Sequence, residues 1–72
     1  MPYIEVKAIS GVFSDEQKRE VLKRMTDVLV DLEGEYMRPV TVATFNEVES
    51  GSWAFGGNAI TREDVGALKA GA

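Results

Sequence analysis

Residues 14–34, SDEQKREVLKRMTDVLVDLEG, carry the strongest local pattern in the chain. Ser14 followed three residues later by Gln17 is a capping box, which starts a helix by satisfying its first backbone N–H groups. Gly34 is a residue type that commonly ends one. The pattern predicts a helix over about residues 15–33. Its apolar stripe is expected to consist of Val21, Leu22, Met25, Val28, Leu29 and Leu32.

The segments on either side of this helix are predicted to be strands. Residues 2–9, PYIEVKAI, alternate, with Tyr3, Glu5 and Lys7 on the face opposite the apolar side chains. Residues 40–48, VTVATFNEV, are mostly apolar or threonine in their first half, which is typical of a strand covered on both faces. Strand, helix and strand in this order predict a parallel β-α-β unit with a right-handed crossover.

The remaining segments are predicted to be short elements. Residues 35–39 are expected to be a loop that leads into the second strand. Residues 53–57, WAFGG, are expected to form a short hairpin arm. Thr61 is placed to cap a short C-terminal helix with Asp64, so residues 62–72 form either this helix or a flexible tail. The prediction is one α/β (α+β) domain covering residues 1–72.

The size of the chain predicts self-association. Seventy-two residues bury a marginal core, and the chain has no cysteine to form a disulfide. A two-stranded sheet with one helix also leaves one of its faces bare, and such a sheet needs further strands or layers to be stable. We expect two copies to join through their sheets into a four-stranded sheet, and this dimer to assemble further.

Composition and charge narrow the possible functions. The net charge of −4 and pI of about 4.6 disfavour nucleic acid and anionic membrane surfaces as partners, because both require a basic patch. No apolar run is long enough to span a bilayer. The absence of histidine and cysteine removes the commonest metal ligands, so a metal site is not expected. A cytoplasmic protein is the prediction.

The Met1-Pro2 start is the main chemical lead. A small second residue permits removal of the initiator methionine, and Pro2 would then present a secondary amine. Such an amine acts as a base near neutral pH if an apolar pocket or a nearby cation lowers its pKa. On these two residues alone, a proline that simply begins a strand is the more common interpretation.

The chain resembles the tautomerase superfamily, and in particular 4-oxalocrotonate tautomerase. The resemblance runs from Pro2 to about Thr61 and includes MPYIEV, GVFSDEQK before the helix, NEV at the end of the second strand, and SWAFGG in the arm. It implies that Pro2 moves a proton between atoms of an unsaturated 2-oxo or 2-hydroxy acid without a cofactor. It also implies homohexamers, built as trimers of dimers, with sites formed by several chains.

Two positions depart from the family pattern. The family has an arginine just after the glycine of the first turn, where this chain has Val12 and Phe13. It has another in the second strand, where this chain has Val42. Both binders of the substrate carboxylate are therefore absent where they are expected.

The proposed substrate-binding residues follow from this comparison. Trp53 matches the aromatic residue of the family's arm and Phe55 its apolar neighbour, so these two are expected to form an apolar wall. Arg38 and Lys7 are the cations proposed to hold a carboxylate in place of the missing arginines. Arg62 follows the arm and could reach a neighbouring subunit's site, although a residue in this position is usually a surface charge.

Three functions are compatible with these observations. The first is a tautomerase or isomerase with Pro2 as general base. The second keeps the proline for hydration, dehalogenation or decarboxylation, and hydration would need Glu5 or Glu47 to activate water. The third is a non-catalytic subunit or binding protein of the same fold, which the missing arginines favour.

Overall fold

The computed structural model describes residues 1–71. Within this range, seven elements follow one another. They are β1 (Tyr3–Ile9), α1 (Asp15–Glu33), a short 3₁₀ helix (Glu35–Val40), β2 (Val42–Val48), β3 (Trp53–Phe55), β4 (Asn58–Ile60) and α2 (Arg62–Gly71).

The strands form a parallel pair and a separate hairpin. β1 and β2 are parallel and pair from Tyr3 opposite Val42 to Ile9 opposite Val48. β3 and β4 form the antiparallel arm, with Trp53 opposite Ile60. The predicted β-α-β unit with a hairpin arm is confirmed. The residues after the arm form the helix α2 as far as Gly71, and the last residue of the predicted segment, Ala72, lies outside the described residues.

The segment before β2 differs from the prediction. Residues 35–40 form a 3₁₀ helix rather than a loop, and β2 begins at Val42, two residues later than predicted. Pro39 suits this turn because its fixed φ lies in the helical range. Thr41 closes the turn, since its hydroxyl donates to the Met37 carbonyl at 2.8 Å and its N–H to the Arg38 carbonyl at 3.2 Å.

Both predicted ends of α1 are confirmed. The Gln17 N–H donates to the Ser14 hydroxyl at 3.1 Å, and the Ser14 N–H donates to the Gln17 side chain at 2.9 Å. At the other end Gly34 has φ 111° and donates its N–H to the Val30 carbonyl at 2.8 Å. The side chain of Tyr36 covers Gly34 so closely that a Cβ there would lie 2.8 Å from the ring.

The apolar stripe of α1 was predicted in part wrongly. Val30, which is not in the predicted stripe, is buried, whereas Val28 is 54% and Leu32 is 83% exposed. At about 100° per residue, Val28 and Leu32 each point about 160° away from Val30. Residues 21–32 therefore have apolar side chains on two sides of the helix, and within one chain only one of these sides meets the sheet.

An ion pair joins the start of α1 to the end of β2. Lys18 pairs with Glu47, and each side chain is about a quarter exposed. The same carboxylate accepts the Gly11 N–H at 3.2 Å. The hydrogen bond from Lys18 holds the pKa of the Glu47 carboxyl below its ordinary value, and the bond to Glu47 raises the pKa of Lys18. Helix, strand and first turn thus meet at one charged contact.

We predict that Gly34→Ala destabilises the protein by roughly 1–3 kcal/mol, because a side chain at positive φ is strained and this one would also collide with Tyr36. Urea unfolding followed by circular dichroism at fixed protein concentration measures the change. Gly66→Ala is the matched control, since Gly66 lies within α2 in open space, and this change should stabilise the protein by up to about 1 kcal/mol. Equal effects of the two substitutions would contradict the prediction.

We predict that the contribution of the Lys18–Glu47 pair depends on pH. The lowered pKa of Glu47 makes this contribution present above the ordinary glutamate pKa of about 4.3 and lost as pH falls through the folded-state value. The raised pKa of Lys18 makes it present below about pH 10.4 and lost above that. The urea midpoint should therefore be higher in the wild type than in the double variant Lys18→Met/Glu47→Gln, and this difference should be largest near pH 7. A gap that stays constant down to pH 3 would rule out this account.

Candidate active site

Pro2 precedes β1, at the end of the parallel sheet where both strands begin. Its carbonyl accepts the Val42 N–H at 3.1 Å, and the residue is half-buried. Its nitrogen is not part of this bond and is joined to Met1, which is 86% exposed. While Met1 is attached the nitrogen is an amide and has no basic lone pair. Removing Met1 would free it without breaking the bond between Pro2 and β2.

An apolar cavity lies at the opposite end of β1. It has a volume of about 580 Å³, within the usual range for small-molecule sites. Trp53 and Phe55 of the arm line it, together with Ile9 of β1 and Leu68 of α2. Trp53 is half-buried and Phe55 is 67% exposed, so the aromatic wall is present but open to solvent.

One chain does not bring Pro2 and this cavity together. The cavity is lined by Ala8 and Ile9, and Pro2 precedes them by the length of β1, about 20 Å. The two predicted halves of the site, base and apolar wall, therefore lie at opposite ends of the sheet in a single protomer.

Lys7 lies on the face of the sheet that α1 does not cover. Its ammonium is 3.6 Å from Glu5, and the side chain is 59% exposed. Glu5 also accepts a hydrogen bond from Asn46 at 2.9 Å, and the hydroxyls of Tyr3 and Thr44 are 2.9 Å apart on the same face. This face is a row of linked polar groups, with Lys7 at its end nearer the cavity.

Arg38 is occupied by two carboxylates. Its guanidinium donates to Glu35 at 2.6 and 3.3 Å and to Asp27 at 2.9 Å. These bonds lower the pKa of both carboxyls and raise the pKa of Arg38 above its ordinary value. The contacts tie the 3₁₀ helix to α1. A substrate carboxylate at Arg38 would have to displace at least one of these partners.

A second cationic region lies beside the cavity, and of its residues only Arg62 was considered from the sequence, as a charge that could reach a neighbouring subunit's site. Arg62 and Lys69 of α2 line a smaller cavity of about 190 Å³ together with Gly11 and Val12 of the first turn. The sequence contained a signal, because residues 62, 65, 66 and 69 have the i, i+3, i+4, i+7 spacing of one helix face. That signal could be read only if the tail was known to be a helix that packs on the first turn.

Residues 1–71 contain no group of three metal-ligating side chains that could hold an ion. No helix within the same range is both long and apolar enough to cross a bilayer.

Comparison with known proteins agrees with this architecture. The family model described as tautomerase enzyme matches residues 2–63. A probable tautomerase from Dickeya dadantii (strain 3937) is 31% identical over 61 residues, which cover 85% of this chain and 90% of that protein.

Solved structures are similar over the same range. YwhB, a homologue of 4-oxalocrotonate tautomerase, has a TM-score of 0.71 and 28% identity, covering 81% of this chain and 92% of its own. Another homologue of that enzyme, TTHB242, has a TM-score of 0.72 and 30% identity, covering 82% and 90%. These relatives support a tautomerase-type, isomerase-like activity. The chain belongs to the tautomerase family, as the resemblance in its sequence indicated.

Proposed function

We propose that the mature protein is a cofactor-independent tautomerase in which Pro2, freed by removal of Met1, is the general base for an unsaturated 2-oxo or 2-hydroxy acid. The observation that carries the proposal is the place of Pro2. The family match begins at this residue, and in the fold its carbonyl is bonded to β2 while its nitrogen is not. The ring is therefore held by the sheet at one atom and available for chemistry at the other.

The reaction is a proton transfer within one substrate. The ring nitrogen takes the hydroxyl proton of the enol and returns a proton to carbon, so that the product is an isomer of the substrate. A positioned base of this kind contributes about 10²- to 10⁴-fold to the rate. An apolar wall such as Trp53 and Phe55 would disfavour the protonated amine and keep the nitrogen basic near neutral pH.

The environment of the two candidate water activators favours isomerisation over hydration. Glu5 accepts a hydrogen bond from Asn46 and lies near Lys7, and Glu47 is held by Lys18 and the Gly11 N–H. The contacts of Glu47 lower the pKa of its carboxyl, which makes this carboxylate a weaker base for water. Hydration at this site would require breaking one of these contacts.

We further propose that the protein works as a homo-oligomer, in the form that the resemblance implies, a hexamer built as a trimer of dimers. Two copies related by a two-fold axis and paired with antiparallel strands would bring the Pro2 end of one chain to the Trp53 end of the other. A cytoplasmic location stays a prediction from the sequence.

We predict that Pro2→Ala lowers kcat/KM for ketonisation of phenylenolpyruvate by about 10²-fold or more, because the secondary amine is lost. A second variant keeps the ring but blocks its nitrogen by inserting alanine between Met1 and Pro2, and it should be equally impaired. N-terminal mass and circular dichroism confirm processing and folding of both. The control is Pro39→Ala, which removes a proline from the 3₁₀ helix and should leave the chemistry unchanged. Wild-type rates in either N-terminal variant would end the proposal.

A further inference from the structure

One face of α2 is turned toward the first turn of the chain. Arg62, Val65, Gly66 and Lys69 share this face and line the 190 Å³ cavity with Gly11 and Val12. Gly66 leaves the middle of the face bare, because a Cβ built there would have no heavy atom within 4 Å. The result is a small recess at Gly66. Arg62 lies one helical turn before it, and Lys69 lies within one turn after it.

The Arg62 side chain lies against the backbone of the first turn. A Cβ built on Gly11 would be 3.0 Å from its Cδ and 3.3 Å from a guanidinium nitrogen. Its ion pair within residues 1–71, with Glu63, is long at 3.8 Å. Arg38, by contrast, has carboxylate oxygens at 2.6–2.9 Å from two partners. Arg62 thus lies beside the first turn, and its side chain, which is 56% exposed, retains donors for a ligand.

The recess adjoins the apolar cavity. Val12 and Val65 line both of them, so the cationic recess and the 580 Å³ cavity share a wall. One ligand can therefore place an anionic group beside Arg62 and Lys69 and an apolar chain toward Trp53 and Phe55. Among residues 1–71 the larger cavity is lined by a single acid, Asp64. It is engaged at the helix cap, where it accepts the Thr61 N–H at 2.8 Å and the Thr61 hydroxyl at 3.1 Å.

We propose that Arg62 and Lys69 hold the carboxylate of an unsaturated acid whose carbon chain runs past Val12 and Val65 into the aromatic cavity. The proposal rests on the proposed function for the identity of that acid as substrate. The carboxylate would then lie beside the first turn, where the sequence has Val12 in place of the family's arginine. Cations of α2 would do the work of that arginine. The Pro2 that acts on this ligand would come from a second copy, since the recess is at the far end of β1.

Binding can be measured without turnover. The chain has one tryptophan, so quenching of its fluorescence reports on the cavity that Trp53 lines. The probes are trans-cinnamate and its neutral isostere cinnamamide, titrated into the processed protein and into Pro2→Ala. We expect cinnamate to bind and Arg62→Gln and Lys69→Gln each to raise its Kd about tenfold, since each removes a charge-assisted contact. The Kd for cinnamamide should change less than twofold.

Three further variants keep the test sharp. Arg62→Lys should retain part of the affinity, and Arg19→Gln, which removes the same charge from the exposed side of α1, should retain all of it. Gly66→Leu fills the recess while both cations remain, and it should weaken cinnamate binding in a protein that is no less stable. It therefore tests the site even if Arg62→Gln fails to fold.

The outcomes separate this inference from the proposed function. Unchanged cinnamate affinity in Arg62→Gln, Lys69→Gln and Gly66→Leu would overturn the inference, even if Pro2→Ala abolishes activity. Equal losses in Arg19→Gln and Arg62→Gln would also overturn it, because only net charge would then matter. Charge-specific binding in a protein whose Pro2→Ala variant keeps full activity would support the recess and reject the catalytic proline.

Discussion

The structure depends on one constraint, which is that two strands and one helix can bury few apolar side chains. Among residues 1–71 only Ile9, at 7% exposed, and Val30, at 3%, are buried. Leu32, Tyr36 and Phe55 are each more than 60% exposed, an unusual condition for so many large apolar side chains in one small protein. This shortage of buried surface is the observation behind the proposed oligomer, in which a second chain would complete the core. The exposed sides of the helix and the bare face of the sheet are the surfaces available for it.

The same constraint determines where chemistry can take place. Parallel strands place Pro2 at one end of the sheet, and the connection after β2 places the arm at the other. Neither end alone combines a base, an apolar wall and a cation. A second copy in antiparallel orientation would supply at one end what the first has at the other. Assembly and catalysis would then depend on one arrangement of chains.

Much of this fold could be predicted because its signals are local. The capping box at Ser14, the glycine at position 34 and the alternation in β1 each act within a few residues, and each was confirmed. The Thr61–Asp64 cap of α2 is of the same kind, with both of its side chains bonded as expected. Membership of the tautomerase family also followed from the order of short motifs.

The rest depended on contacts between distant residues. The sequence of α1 has apolar residues on two sides, and which side meets the sheet is decided by packing, so Val28 and Leu32 were placed wrongly. The 3₁₀ helix before β2 is tied to α1 by Arg38, which reaches Asp27 across 11 positions of sequence, a contact that no local pattern specifies. Arg62 reaches Gly11 across 51 positions of sequence, and only the folded chain reveals that proximity.

The most direct test of a site shared between chains is subunit mixing. Pro2→Ala and the double variant Trp53→Ala/Phe55→Ala are unfolded together, refolded at equal concentration, and assayed with phenylenolpyruvate. If base and wall come from different copies, random pairing leaves about a quarter of the sites with both groups intact, and activity should rise to about that fraction of wild type. Activity that stays at the average of the two separately refolded variants would contradict the account.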